Sequence, residues 1–204
     1  GLVIAYAADT KDHFLWQYVF NRATRLYSVL VPAIFLTLFV GFILSYNNSS
    51  AAVFRALTFT AHIWNGWEQP EPNGPMWSIT YEAWYYAIFG CLFYLQGWRG
   101  LVLAVIAAIV AGPSIVILMP CWWLGVFVYR SLQRPLPRAA AWVLTLVPVL
   151  AYAVFQSTGL LRDIGQITSF PPKGALAHVS VHFLRDWLVA TLVAAHFVGL
   201  ASLL

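Results

Sequence analysis

Long apolar runs separated by short polar breaks organise this chain, and their lengths predict helices that cross a bilayer. Gly1 to Ala8 reads as the last turns of a membrane helix whose start lies before the sequence. Asp9 to Arg25 is the most polar stretch, yet Phe14, Leu15, Tyr18 and Val19 recur near helical spacing. That pattern predicts an amphipathic helix lying at the membrane interface. Leu26 to Tyr46 is apolar apart from scattered hydroxyl residues, broken only by Pro32 and Gly41, and predicts a transmembrane helix. Asn47-Asn48-Ser49-Ser50 is a turn. Ala51 to Trp64 is apolar but short for a span; Arg55, Thr58 and His62 fall at i, i+3 and i+7, which predicts a polar stripe on a short, tilted or re-entrant helix. Asn65 to Gly74 is a loop carrying Glu68 and Glu71, and an apolar helix then runs from Pro75 to about Leu95. Leu101 to Tyr129 is too long for one helix and too short for two ordinary spans, so Gly112-Pro113 predicts a break into two short helices. A basic, Pro-containing loop (Arg130 to Arg138) precedes a span from Ala139 to about Phe155. Gln156 to Phe183, polar and holding Pro171-Pro172, is predicted to lie outside the membrane, and Leu184 to Leu204 is the last span.

Composition agrees with this pattern. Hydrophobic residues make up 61% of the 204 positions and charged residues 9%, with ten Trp, as expected of a polytopic membrane protein with aromatic belts at its interfaces. The predicted architecture is an all-α transmembrane helix bundle with short or broken helices. It forms one domain over residues 1–204 that continues beyond both ends, because the sequence starts and stops inside apolar runs. The net charge of +4 reads as a bias of membrane loops. Placing Lys11, Arg22, Arg25, Arg99, Arg130, Arg134 and Arg138 on one side leaves Arg55, Arg162, Lys173 and Arg185 on the other. The first, larger group is then cytoplasmic. No basic face interleaved with exposed aromatics is present, which excludes nucleic acid as a partner. Cys91 and Cys121 stand in apolar runs without a CxxC or Cys/His cluster, so they read as buried thiols. His178 and His182 have only Asp186 near them in sequence, and no metal site is expected.

One carboxylate stands out. Glu82 lies about two turns inside an apolar zone, where a buried charge is costly and marks a candidate functional site. On a helix Ser78, Glu82 and Tyr86 follow at i, i+4 and i+8, with Tyr85 beside them, so they share a face turned into the protein. The alternative is a structural carboxylate tying two helices together.

Two stretches together resemble the acyltransferase 3 family of membrane-bound O-acyltransferases that modify surface carbohydrates. Asn21-Arg22-Ala23-Thr24-Arg25-Leu26-Tyr27 looks like the Arg-x-x-Arg pattern that opens a membrane helix of that family. Gly74-Pro75-Met76-Trp77-Ser78-Ile79-Thr80-Tyr81-Glu82-Ala83-Trp84-Tyr85-Tyr86 resembles its Trp-Ser-Leu-x-x-Glu-x-x-Phe-Tyr signature, with Ile79 standing for Leu and Tyr85 for Phe. Pro120-Cys121-Trp122-Trp123-Leu124-Gly125 looks like the opening of a later family helix.

The resemblance implies transfer of an acyl group, usually acetyl, from cytoplasmic acyl-CoA to a hydroxyl of a carbohydrate or lipid-linked acceptor. It implies an inner (plasma) membrane protein with no permanently bound cofactor. Glu82 then supports catalysis, Arg22 and Arg25 hold the phosphates of acyl-CoA, and Trp77, Ser78, Tyr85 and Tyr86 bind the acceptor. The family's presumed catalytic His, ten residues beyond an Arg on its first helix, aligns upstream of Gly1. Arg185 and His196 show the same spacing on a late helix, and we read that pair as coincidence. Arg22 and Arg25 also suit plain interface anchors, and the aromatic run also suits a membrane belt. Two rival functions remain at this point. One is a transporter or flippase-like bundle in which Glu82 and the break at Pro113 serve translocation. The other is a non-catalytic membrane subunit.

Overall fold

The computed structural model describes residues 1–64, 68–134, 136–167 and 182–204. The described residues form an all-α fold: α1 (Leu2–Thr10), α2 (Leu15–Ile43), α3 (Ser50–Leu57), α4 (Trp77–Tyr94), α5 (Trp98–Ala111), α6 (Pro113–Ser131), α7 (Arg138–Ser157), α8 (Leu160–Ile167) and α9 (Phe183–Leu203). Helices α2, α6, α7 and α9 are long and apolar enough to cross a bilayer, and their exposed sides are covered with large hydrophobic side chains such as Phe35, Phe39, Phe42, Leu146 and Leu150. No water-soluble protein leaves that much apolar surface uncovered. This is a membrane protein.

The chain divides into two compact units. The first holds Asp12–Val116 and the second holds Gly1–Lys11 with the described residues from Ile117 onward.

In the first unit α2 is a single helix of 29 residues, about 43 Å long against a hydrocarbon core of about 30 Å. The expected interfacial helix and the expected span are therefore one element. Nothing between Val19 and Leu26 breaks the helix, and Thr24 and Ser28 turn their hydroxyls onto the carbonyls of Phe20 and Arg25 in their own helix. Only Lys11–Phe14 separates α1 from α2. Pro32 lies inside α2 without ending it. Along α2 the buried positions Tyr18, Leu26, Leu30, Ile34, Thr37 and Gly41 form one stripe at helical spacing. Leu30 and Ile34 pack with Ala56 of α3 and Met76. The Leu15–Arg25 portion extends beyond the apolar window and carries the polar side chains.

The expected stripe of Arg55, Thr58 and His62 does not form. Helix α3, capped by Ser49, which accepts the N–H of Ala52, stops at Leu57. Thr58 sends its hydroxyl back to the Phe54 carbonyl at 2.8 Å, and Phe59 takes a φ of 55°. With the helix ended, Arg55 pairs with Glu68 at 3.0 Å. His62 is buried in a turn, where its Nε2 meets Gln69 Oε1 at 2.8 Å. Gln69 in turn donates to the carbonyls of Asn73 and Gly74, and Asn73 donates to Thr37 of α2 at 2.9 Å. This polar chain delivers the backbone to the 3-10 turn Gly74–Met76 from which α4 starts. Residues 65–67 of the expected loop lie outside the described residues.

The break at Gly112-Pro113 is present. Gly112 has a φ of 86°, and a Cβ there would sit 2.7 Å from the backbone nitrogen of Trp64, so only glycine fits on both counts. Helix α5, with 14 residues, is short for a span, whereas α6, with 19, is long enough to cross. Of the two helices expected to be short, only α5 is.

In the second unit α7 and α9 pack backbone to backbone. A Cβ on Gly199 would lie 2.6 Å from the nitrogen of Thr145 and 2.7 Å from the carbonyl oxygen of Ala141, the close approach that small residues allow in membranes. His196 donates from Nδ1 to the Thr145 carbonyl at 2.8 Å, and Arg185 pairs with its neighbour Asp186 at 3.2 Å. Both members of the Arg185/His196 spacing thus have partners within the second unit. The expected outer segment contains the amphipathic α8. Pro171, Pro172, Lys173 and His178 lie outside the described residues.

Candidate functional site

Asp12, the N-terminal turns of α2 and helix α4 bring four charged side chains and three tyrosines together within the first unit. Glu82 stands five residues into α4, about 7.5 Å along its axis. Its Oε1 accepts the hydroxyl of Tyr86, one turn further on. The same oxygen lies 3.9 Å from the guanidinium of Arg25. In sequence α3 and the 3-10 turn lie between Arg25 and Glu82, and the packing of α2 on α4 closes that gap.

Arg22, one turn before Arg25, is placed differently. Its guanidinium is nearly buried and reaches Asp12 at 3.1 Å, and Asp12 is 1% exposed. Asn21 donates to the other oxygen of Asp12 at 2.6 Å, and Tyr94 donates to its backbone carbonyl at 2.5 Å. A carboxylate this deeply buried is tolerable only with such partners. Arg22 meets it through one nitrogen only, and its Nε is buried without a hydrogen-bond partner among the described residues. The pair is therefore not a closed bidentate fork. The flat guanidinium also lies over the rings of Tyr18 and Tyr86, 5.8 and 6.0 Å from their centroids, within cation–π range. Tyr18 locks the same corner by donating its hydroxyl to the Tyr86 carbonyl at 3.0 Å.

The two arginines thus have different electrostatic settings. Arg22 is neutralised and held. Arg25 is half exposed, and its contact with the partly exposed Glu82 is long, so the pair is worth about 0–1 kcal/mol and is easily exchanged for another anion. Among the described residues the contacts of Glu82 fall on Oε1, and Oε2 has none there.

The other expected site residues scatter. Tyr85 is buried and donates its hydroxyl to the Ile115 carbonyl at 2.9 Å, away from Glu82. Ser78 is exposed and its hydroxyl closes the first turn by donating to Pro75 at 3.0 Å. Trp77 is part-exposed and packs edge-on against Tyr81, ring centroids 5.1 Å apart. Trp84 donates from its indole to the Phe59 carbonyl at 3.0 Å, a packing role. Of the face expected to hold Ser78, Glu82, Tyr85 and Tyr86, the hydrogen bonds join only Glu82 and Tyr86.

Asp12, Tyr18, Asn21 and Tyr94 belong to the cluster and were not singled out by sequence. The available signal was Asp12 itself, an acid in the same polar stretch as Arg22. The break at Lys11–Phe14 hides their relation, because no helical spacing links the two. Among the described residues no group of three or more metal-ligating side chains occurs.

No family model, curated protein or solved structure matches this chain.

Proposed function

We propose that the chain is the membrane-embedded part of an O-acyltransferase of the inner (plasma) membrane. It moves an acyl group, acetyl in the simplest case, from acyl-CoA to a hydroxyl of a carbohydrate or lipid-linked acceptor. One observation carries the reading: the Arg-x-x-Arg stretch and the Trp-Ser to Glu signature, far apart in sequence, meet at Arg25, Glu82 and Tyr86.

Acyl transfer breaks the thioester C–S bond and forms an ester C–O bond; the base takes the hydroxyl proton and passes it to the leaving thiolate, which departs as the thiol. The reaction needs a grip on the donor's phosphates and a group that manages the proton. Arg25 fits the first need, as an exposed fork of donors with only a weak hold on its present partner. Glu82 fits the second in a supporting role, as a partly exposed carboxylate able to orient the base that takes the hydroxyl proton. Tyr86, fixed by Tyr18 and Arg22, sets the rotamer of Glu82. Asp12 keeps Arg22 from competing with Arg25 for the donor. Trp77 and Ser78, exposed at the start of α4, remain positioned to meet an acceptor.

The test is Glu82→Gln in the full-length protein, assayed for acylation of its acceptor in membranes. The substitution keeps the size and one acceptor oxygen but removes the charge. We expect acylation to fall at least about 100-fold with unchanged expression, the range that loss of a proton-handling group produces. Wild-type acylation in that variant removes Glu82 from the mechanism.

A further inference from the structure

We infer that the second unit holds one anionic phospholipid in a groove between α6 and α9, a proposal that does not depend on the acyltransferase reading. The groove is open along one side, offers about 470 Å³ and is walled by Pro120, Leu124, Phe127 and Arg130 of α6 and by Trp187 and Thr191 of α9. The α6 positions advance by three or four residues, so they make one strip along the helix. From Pro120 to Arg130 the strip rises about 15 Å, half of the roughly 30 Å hydrocarbon core and therefore the depth of one leaflet. It is apolar until its last position, which is a guanidinium in the final turn of α6. The order of apolar length followed by positive charge is that of an acyl chain ending in a phosphate.

The groove has a fixed wall. Trp187 donates its indole N–H to the Ile117 carbonyl at 2.7 Å, in the turn that precedes Pro120. The ring is thereby held on α6 and cannot swing in to fill the space. Deeper in the unit Val128 packs against Ala194 and Val198, which sets the helix spacing that leaves the groove open beside Leu124.

The charge at the mouth is unspent. Arg130 has no carboxylate partner among the described residues. Arg134, in the loop after α6, and Arg138, at the start of α7, are both exposed. Basic side chains at a membrane surface each favour an anionic headgroup by about 1 kcal/mol, close to a fivefold preference. A zwitterionic lipid has the chain but not that gain, and free phosphate has the charge but no chain.

The experiment uses the purified chain in detergent with equimolar phosphatidylglycerol and phosphatidylcholine, read by native mass spectrometry. We expect one retained phospholipid, with phosphatidylglycerol favoured at least about fivefold. Arg130→Gln should cut that preference about fivefold, and inorganic phosphate at the lipid concentration should not displace the lipid. Thr191→Trp, which fills the groove, should remove the retained lipid of either headgroup. Equal retention of the two lipids, an unchanged preference in Arg130→Gln, or a lipid that survives groove filling overturns the proposal. So does a dimer that dissociates when the groove is filled, which would give the surface to a second copy of the chain. Should Thr191→Trp fail to fold, the Arg130→Gln comparison decides alone.

Discussion

Replacing Asp12 with alanine tests the cluster where its energetics are sharpest. Asp12 is 1% exposed, and Arg22, its partner at 3.1 Å, is 13% exposed. Removing the carboxylate leaves a nearly buried guanidinium without its counter-charge, and it frees the Asn21 amide that bonds to the second oxygen. Breaking a buried pair in this way costs about 3–5 kcal/mol. The contact runs through a single guanidinium nitrogen, and Arg22 keeps its place over Tyr18 and Tyr86, so the lower end, about 3 kcal/mol, is expected. Removing Arg25, whose contact with Glu82 is long and exposed, should cost no more than about 1 kcal/mol. The assay is reversible unfolding in mixed micelles followed by tryptophan fluorescence, run on wild type, Asp12→Ala, Arg22→Met and the double variant. The double variant should be less damaged than the two single losses combined, because each single variant strands the partner's charge and the double variant leaves no unpaired charge behind. A loss below about 1 kcal/mol for Asp12→Ala, or strict additivity in the cycle, refutes the claim that Asp12 anchors Arg22.

Two further outcomes follow from the packing. His62 is buried in the loop after α3, and burial pushes its pKa below the ordinary value, against a smaller upward pull from Gln69. The folded state therefore binds the proton less readily than the unfolded chain, so stability present above about pH 6.5 is lost as the pH falls through the folded-state value; thermal midpoints taken from pH 8 to pH 5 should drop for wild type and stay flatter for His62→Gln. Gly199→Leu should force α7 and α9 apart, since even a Cβ there would meet Thr145 and Ala141 backbone atoms within 2.7 Å; we expect a loss of roughly 1–3 kcal/mol in the same unfolding assay, against no measurable loss for Val193→Leu on the exposed side of α9.

What sequence discloses here depends on the scale of the physics involved. Apolar run length locates α2, α7 and α9 because a bilayer imposes one length on every spanning helix, whereas the run from Leu101 to Tyr129 predicts two short helices and α6 is long enough to cross. Gly112-Pro113 locates the α5–α6 break because the chain there needs both a left-handed φ and a residue without an amide hydrogen. Helix ends are less legible: nothing local shows that α3 stops at Leu57, since Thr58 and Phe59 leave the helix to let His62 reach Gln69, a contact made across a loop. The missing boundary at Arg25 has the opposite cause, because the polarity of a stretch changes where a helix sits and not whether it continues. At the site, Glu82 is conspicuous as a carboxylate in an apolar zone. That Tyr85 faces Ile115 and Tyr86 faces Glu82 follows from one residue of helical rotation, which spacing alone does not resolve once both neighbours are aromatic. Asp12 is invisible for a different reason: its partner is fixed by how α2 starts, and that start follows a break with no periodicity.

The central claim is that the donor binds where Arg25 and Glu82 meet, and photolabelling of the full-length protein in membranes tests it most directly. A photoreactive acyl-CoA should label peptides spanning residues 18–27 and 77–86, free CoA should protect them, and Arg25→Gln should abolish the labelling. Labelling confined to α7 and α9, or undiminished by Arg25→Gln, would contradict the account.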